Sequence, residues 1–141
     1  MSFGEKGNWL YLVVTAVTFA VYVVIVLGRA GDAPLPEVTY ESTMLWAIGL
    51  TVGLNVLGSI AIAIAKPSEA DTTDERDKTI DRFGDYVGGI VLGIGMLGPL
   101  GLALADADSF WIANAIFAVF VLSILVSSIV KIFGYRRGLS P

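Results

Sequence analysis

The residues best placed to do chemistry are four aspartates, Asp74, Asp77, Asp81 and Asp85, spaced three, four and four apart. On a helix that spacing makes one stripe, with Lys78 and Arg82 beside it. Carboxylates of this kind ligate Mg²⁺ or Ca²⁺, which need several oxygens converging on one point. A single stripe does not converge unless a second chain supplies the rest, so no metal site is expected. The plain reading is a solvated, salt-bridged face. The sharper one is a surface that docks a partner, built from Asp74, Glu75, Arg76, Asp77, Asp81 and Arg82.

Other chemistry is excluded by what the chain lacks. It has no Cys and no His, which removes thiolate nucleophiles, disulfides, Cys/His zinc sites, axial haem ligands and imidazole acid–base catalysis. Ser and Tyr hydroxyls and several carboxylates remain, but no nucleophile–base pair falls at a workable spacing. No catalytic residue and no cofactor is expected, and the chain is read as not an enzyme.

The elements that hold these residues are apolar. Of 141 residues, 55% are hydrophobic and 16% charged, whereas soluble domains run nearer a quarter charged. A helix crossing a hydrocarbon core of about 30 Å needs roughly 20 apolar residues. Four stretches qualify, near 8–28, 43–65, 86–105 and 110–132, and the only charge in any of them is Lys131. Each is bracketed by an aromatic and a charged residue 20 positions apart: Trp9 and Arg29, Trp46 and Lys66, Tyr86 and Asp106, Trp111 and Lys131. Aromatic rings favour the headgroup level and Lys or Arg snorkels to it. The expected fold is all-α, one domain over 1–141, a four-helix transmembrane bundle of two helical hairpins joined by a charged loop at 66–85.

Orientation follows from Lys and Arg. Lys6, Lys66, Arg76, Lys78, Arg82, Lys131, Arg136 and Arg137 fall on one side, eight of the nine basic residues, and Arg29 on the other. The positive-inside rule makes the richer side the cytosol, so both termini and the 66–85 loop are expected inside. A cleaved signal peptide is the alternative for the first span, but its apolar core is too long and Ala30 and Ala33 make a poor cleavage site. The basic C-terminal end is expected to touch anionic lipid.

Within the bilayer, small residues four apart let backbones approach. Gly49 and Gly53 on the second span and Gly89 and Gly93 on the third are read as packing positions, within the bundle or across a dimer, with Ser123 and Ser127 on the fourth. Pro99 lacks an amide donor, so a bend or hinge is expected near 96–99. Tyr11, Thr15, Thr18 and Tyr22 form one stripe that should face protein. Tyr22, Asn55 and Asn114 are the intramembrane polar residues, and each Asn is expected to bond a Thr or Ser across the bundle. In the loop, Pro67 ends the second helix, and Thr72 with Glu75 matches a capping box that starts an amphipathic helix. Ile80, Phe83 and Val87 form its apolar face, and Gly84 is a candidate joint with the third span.

The stretch from Thr72 to Gly138 resembles a group of small bacterial four-span membrane proteins to which no activity is assigned. The resemblance is carried by Asp74, Glu75, Arg76 and Asp77 leading into the third span, and by Tyr135, Arg136, Arg137 and Gly138 after the last. It implies the same topology and a multi-pass protein of a bacterial cytoplasmic membrane. The function expected is that of a non-enzymatic accessory, regulatory or immunity-like protein, acting through helix packing and its charged loop. The alternative is a small dimeric transporter or channel, against which the lack of a charge within any span counts. Expected partners are the lipid bilayer and a second copy or another membrane protein; nucleic acid is not among them.

Overall fold

The computed structural model describes residues 3–65 and 75–137. The order is α1 (Phe3–Ala30), a 3-10 turn (Leu35–Glu37), α2 (Glu41–Ala65), α3 (Glu75–Gly95), α4 (Leu97–Leu104) and α5 (Ser109–Arg137). The capping box at Thr72, together with Pro67, Lys66 and Asp74, lies outside the described residues. Four helical segments are long and apolar enough to cross a membrane, α3 and α4 together counting as one. At most 17% of any apolar window is buried inside the protein, so most of this surface is covered only by lipid. In that medium a backbone group has no water to bond, and only a helix satisfies it within the segment. The protein is a four-helix transmembrane bundle.

The packing is that of an open row. α2 packs on α1, α1 on α5, and α5 on α3 and α4. The α1–α2 seam is closed by Leu10 lying over Gly58 and by a 2.7 Å hydroxyl–hydroxyl bond between Thr18 and Thr51. Where α1, α2 and α5 meet near the short loops, an aromatic cluster fills the core. Phe117 stands edge-on to Phe19 at 5.3 Å and to Tyr22 at 5.1 Å, and Tyr40 edge-on to Phe110 at 5.2 Å. Edge-to-face pairs of this kind contribute about 0.5–1.5 kcal/mol beyond the area they bury.

The α3–α5 seam is the tightest. A Cβ at Gly88 would stand 3.0 Å from the Ser127 Cβ and 3.3 Å from the Ser123 carbonyl oxygen, and the Ser123 hydroxyl donates to the Gly88 carbonyl at 2.8 Å. Gly95 receives Val119, and Gly84 lies under the Lys131 side chain. Gly84 is therefore a packing position in an unbroken helix, not a joint. The buried face of α3 is Ile80, Gly84 and Gly88, while Phe83 is exposed. The expected apolar face of Ile80, Phe83 and Val87 is corrected accordingly: Ile80 is buried as expected, but the face continues through Gly84 and Gly88, which let α5 approach, and not through Phe83.

Of the two readings of the packing glycines, contact within the bundle is corrected. Around Gly49, Gly53, Gly89 and Gly93 a Cβ would meet nothing within 4 Å. Within the chain the close approaches are made at Gly4, Gly58, Gly84, Gly88 and Gly95. The bend is where Pro99 puts it. α3 stops at Gly95, Met96 is a turn, α4 restarts at Leu97, and the ring of Pro99 is buried. Two loop residues take positive φ, Gly31 after α1 and Asp106 after α4. Asp106 closes a helix end, its neighbour Ala107 donating back to the Leu102 carbonyl at 3.0 Å.

Candidate functional site

A line of neighbouring cavities forms a groove along one face of the row, with α1 lining each of them. Asn8, Tyr11, Thr15 and Thr18 are spaced three, four and three apart, one helical face. At the end of the bundle that holds both termini, two adjoining cavities of about 330 and 290 Å³ share Asn8, Tyr11, Asp85 and Lys131. Ser59 of α2, Asp81 of α3 and Ser127 and Ser128 of α5 complete this polar mouth. Ile124 then leads into a third cavity of about 390 Å³ between α1, α2 and α5. That stretch is walled by side chains such as Ile48, Val52, Ile116 and Phe120. The groove is polar at the terminal end and apolar at mid-membrane.

Lys131 is an enclosed charge of the mouth, while Tyr11 and Asp85 are exposed. The Lys131 side chain is 16% exposed and lies over Gly84, which has no side chain to displace it; its Nζ reaches the Asp85 carboxylate at 2.7 Å. Asp81, one turn earlier on α3, accepts a long 3.4 Å bond from the Tyr135 hydroxyl. It stands outside the apolar stretch that begins at Tyr86. Burial pushes its carboxyl above the usual range, Lys131 pulls it down, and Asp85 and Asp77 push it up.

Of the docking surface read from sequence, Arg76 is engaged within the chain and Glu75 and Arg82 stand exposed. The guanidinium of Arg76 donates to the Gly134 and Tyr135 carbonyls at 3.2 and 3.0 Å, closing the C-terminal end of α5. Glu75 is exposed with Lys78 at 3.5 Å, Asp77 is half-buried, and Arg82 is exposed. Asp74 lies outside the described residues. The basic C-terminal end is tied down as well. Arg136 pairs with the buried Glu5 at 2.7 Å and lies 5.6 Å over the Trp9 ring, and Arg137 lies over Phe133. Lys131 and Arg136 therefore bond protein carboxylates, where sequence reading sent them to lipid. Among the described residues no group of three or more acidic side chains could hold a metal ion.

The intramembrane polar residues divide. Tyr22, 3% exposed, donates its hydroxyl to the Asn114 amide oxygen across the α1–α5 interface. The Asn114 amide in turn donates to the Phe110 carbonyl at 2.8 Å. Asn114 thus has its partner across the bundle, though it is a Tyr and not the expected Thr or Ser. Asn55 does not. It is 4% exposed, donates only to the Thr51 carbonyl on its own helix, and its amide oxygen has no partner among the described residues. Asn55→Leu is accordingly expected to leave the thermal stability of purified protein unchanged or raised, because a buried acceptor without a partner costs free energy and an apolar isostere does not. A clear loss of stability would show that Asn55 bonds something outside this chain.

Sequence reading missed Asn8, Ser59, Asp85 and Lys131 as parts of one site. The only available signal was the three-four-three spacing that extends the Tyr11–Thr18 stripe back to Asn8.

The fold and groove define a multi-pass membrane protein with an amphipathic lateral cleft. No protein-family model, no curated protein and no solved structure matches the chain.

Proposed function

We propose that the protein is a non-enzymatic subunit of a bacterial cytoplasmic membrane, of accessory, regulatory or immunity-like role, that works by packing against another membrane protein or a second copy of itself. The observation that carries this reading is the open row. α2 makes its packing contact with α1, and the Gly49 and Gly53 face points away from it, clear of other groups. Small residues four apart with nothing against them are what a partner helix can approach. The resemblance of the 72–138 stretch supports the bacterial assignment. The eight basic residues at the terminal end support placing that end in the cytosol.

The chain has no Cys, so single introduced thiols report contacts cleanly. Gly53→Cys in native membranes is expected to give a cross-linked dimer or a conjugate of defined mass, with Val24→Cys, on an exposed face of α1, as the negative control. Monomer alone at Gly53→Cys, and likewise at Gly89→Cys, would count against the proposal. The transporter or channel reading has less support, because the mid-membrane stretch of the groove is walled by apolar side chains. Flux above empty vesicles in proteoliposomes would favour it instead.

A further inference from the structure

The geometry points to a second, separate role for the groove: it holds one acyl chain of a zwitterionic aminophospholipid, its phosphoethanolamine head seated at the polar mouth. The two parts of the groove match the two parts of an amphiphile, in the right order and at the right depth. The mouth is polar and lies at the terminal end, beside the last turns of α5. The slot beyond Ile124 is apolar and lies at mid-membrane.

The slot suits an extended apolar occupant. Its α5 wall runs from Ala113 to Ile124, three turns or about 16 Å at 1.5 Å per residue. Ile48, Val52, Ile116 and Phe120 present hydrocarbon along it, as the interior of the bilayer does.

The charges of the mouth choose the head. Asp81 and Asp85 stand on the α3 wall and Lys131 on the α5 wall, its amine bonded to Asp85 at 2.7 Å and Asp81 left with the Tyr135 hydroxyl. An ammonium with N–H donors answers the carboxylates, and the adjoining phosphate answers Lys131, Asn8 and Tyr11. An anionic head without an amine would set its charge against two aspartates. A choline head has a cation but no N–H to donate. One turn deeper, the buried Thr15 hydroxyl has no partner among the described residues. It lines the start of the slot, on the side of the mouth.

The groove and the Gly49–Gly53 face lie on different sides of α2, so this inference does not depend on the proposed partner. The test is native mass spectrometry of the full chain released from nanodiscs holding equal parts of phosphatidylethanolamine, phosphatidylglycerol and phosphatidylcholine. One phosphatidylethanolamine is expected to be retained at least fivefold over either other lipid. Ile48→Trp fills the slot from α2 and should cut retention of all three lipids about tenfold. Ala113→Phe does the same from α5, should either variant fold poorly. Asp81→Asn with Asp85→Asn should keep a bound lipid but lose the preference among heads. Equal retention of the three lipids by the natural sequence, no retention, or an unchanged preference in the double Asn variant would overturn the inference. So would a protein partner cross-linked through Ile48→Cys.

Discussion

Replacing Gly88 with Leu is expected to break the α3–α5 seam, with a loss of at least about 3 kcal/mol of stability or of the cooperative transition altogether. Even a methyl group at this position meets Ser127 and the Ser123 backbone at 3.0–3.3 Å. Backbone cannot step aside as a flexible side chain can, so four added carbons must drive the helices apart. Separation also takes the Gly88 carbonyl away from the Ser123 hydroxyl that donates to it, in a medium with no water to replace that acceptor. The control is the next residue. A Cβ at Gly89 meets nothing within 4 Å, so Gly89→Leu should change stability by no more than about 0.5 kcal/mol. Thermal or denaturant unfolding in one detergent compares the pair. Equal effects at the two positions would contradict the packing described for this seam.

Tyr22→Ala should be nearly as severe, at about 3–5 kcal/mol. Tyr22 is buried where α1 meets α5, its ring edge-on to Phe117 and stacked 6.4 Å from Phe19, its hydroxyl on Asn114. Ala removes the ring and the hydrogen bond together. Tyr22→Phe separates the two contributions, since it keeps the ring and should cost only about 0.6–2 kcal/mol, the range for hydrogen bonds between membrane helices. A double-mutant cycle with Asn114→Leu measures the same coupling directly. Additive effects of Tyr22→Phe and Asn114→Leu would mean that the bond contributes nothing.

What the sequence revealed depends on which property was asked of it. The spans were legible because crossing a bilayer requires a run of apolar residues long enough to be counted. The break before Pro99 was legible because a missing amide is a local fact. The packing glycines were not, since spacing of four identifies a stripe without saying what it faces. Gly49–Gly53 and Gly84–Gly88 have the same spacing, and only the second pair is covered. On α5 the difficulty is greater, because a helix that is apolar all round has no face to read. The groove depends on three helices meeting at particular rotations. The stripe from Tyr11 to Tyr22 gave part of its lining, but the pairing of Asp85 with Lys131, 46 positions apart, needed the fold.

Charge was misread for a related reason. Arg76, Lys131 and Arg136 were assigned to solvent or lipid by position in the chain. In three dimensions each bonds a carboxylate or a carbonyl of the protein. Their number still bears on orientation, which counts basic residues regardless of what they later contact.

The central contact of the row joins the first membrane helix to the last. The Glu5–Arg136 pair spans 131 positions, almost the whole length of the chain. A ribosome delivers residues in order, so α1 must wait in the bilayer, its inner surface against lipid or a temporary neighbour, until α5 has been synthesised. The α1–α2 hairpin is complete long before then. Chains halted before Ser109 should therefore hold that hairpin but lack the aromatic cluster, and be recognised by quality-control proteases as unfinished. The seam at the middle of the row closes only after α5 has emerged, so the earliest helix to be made is among the last to be enclosed.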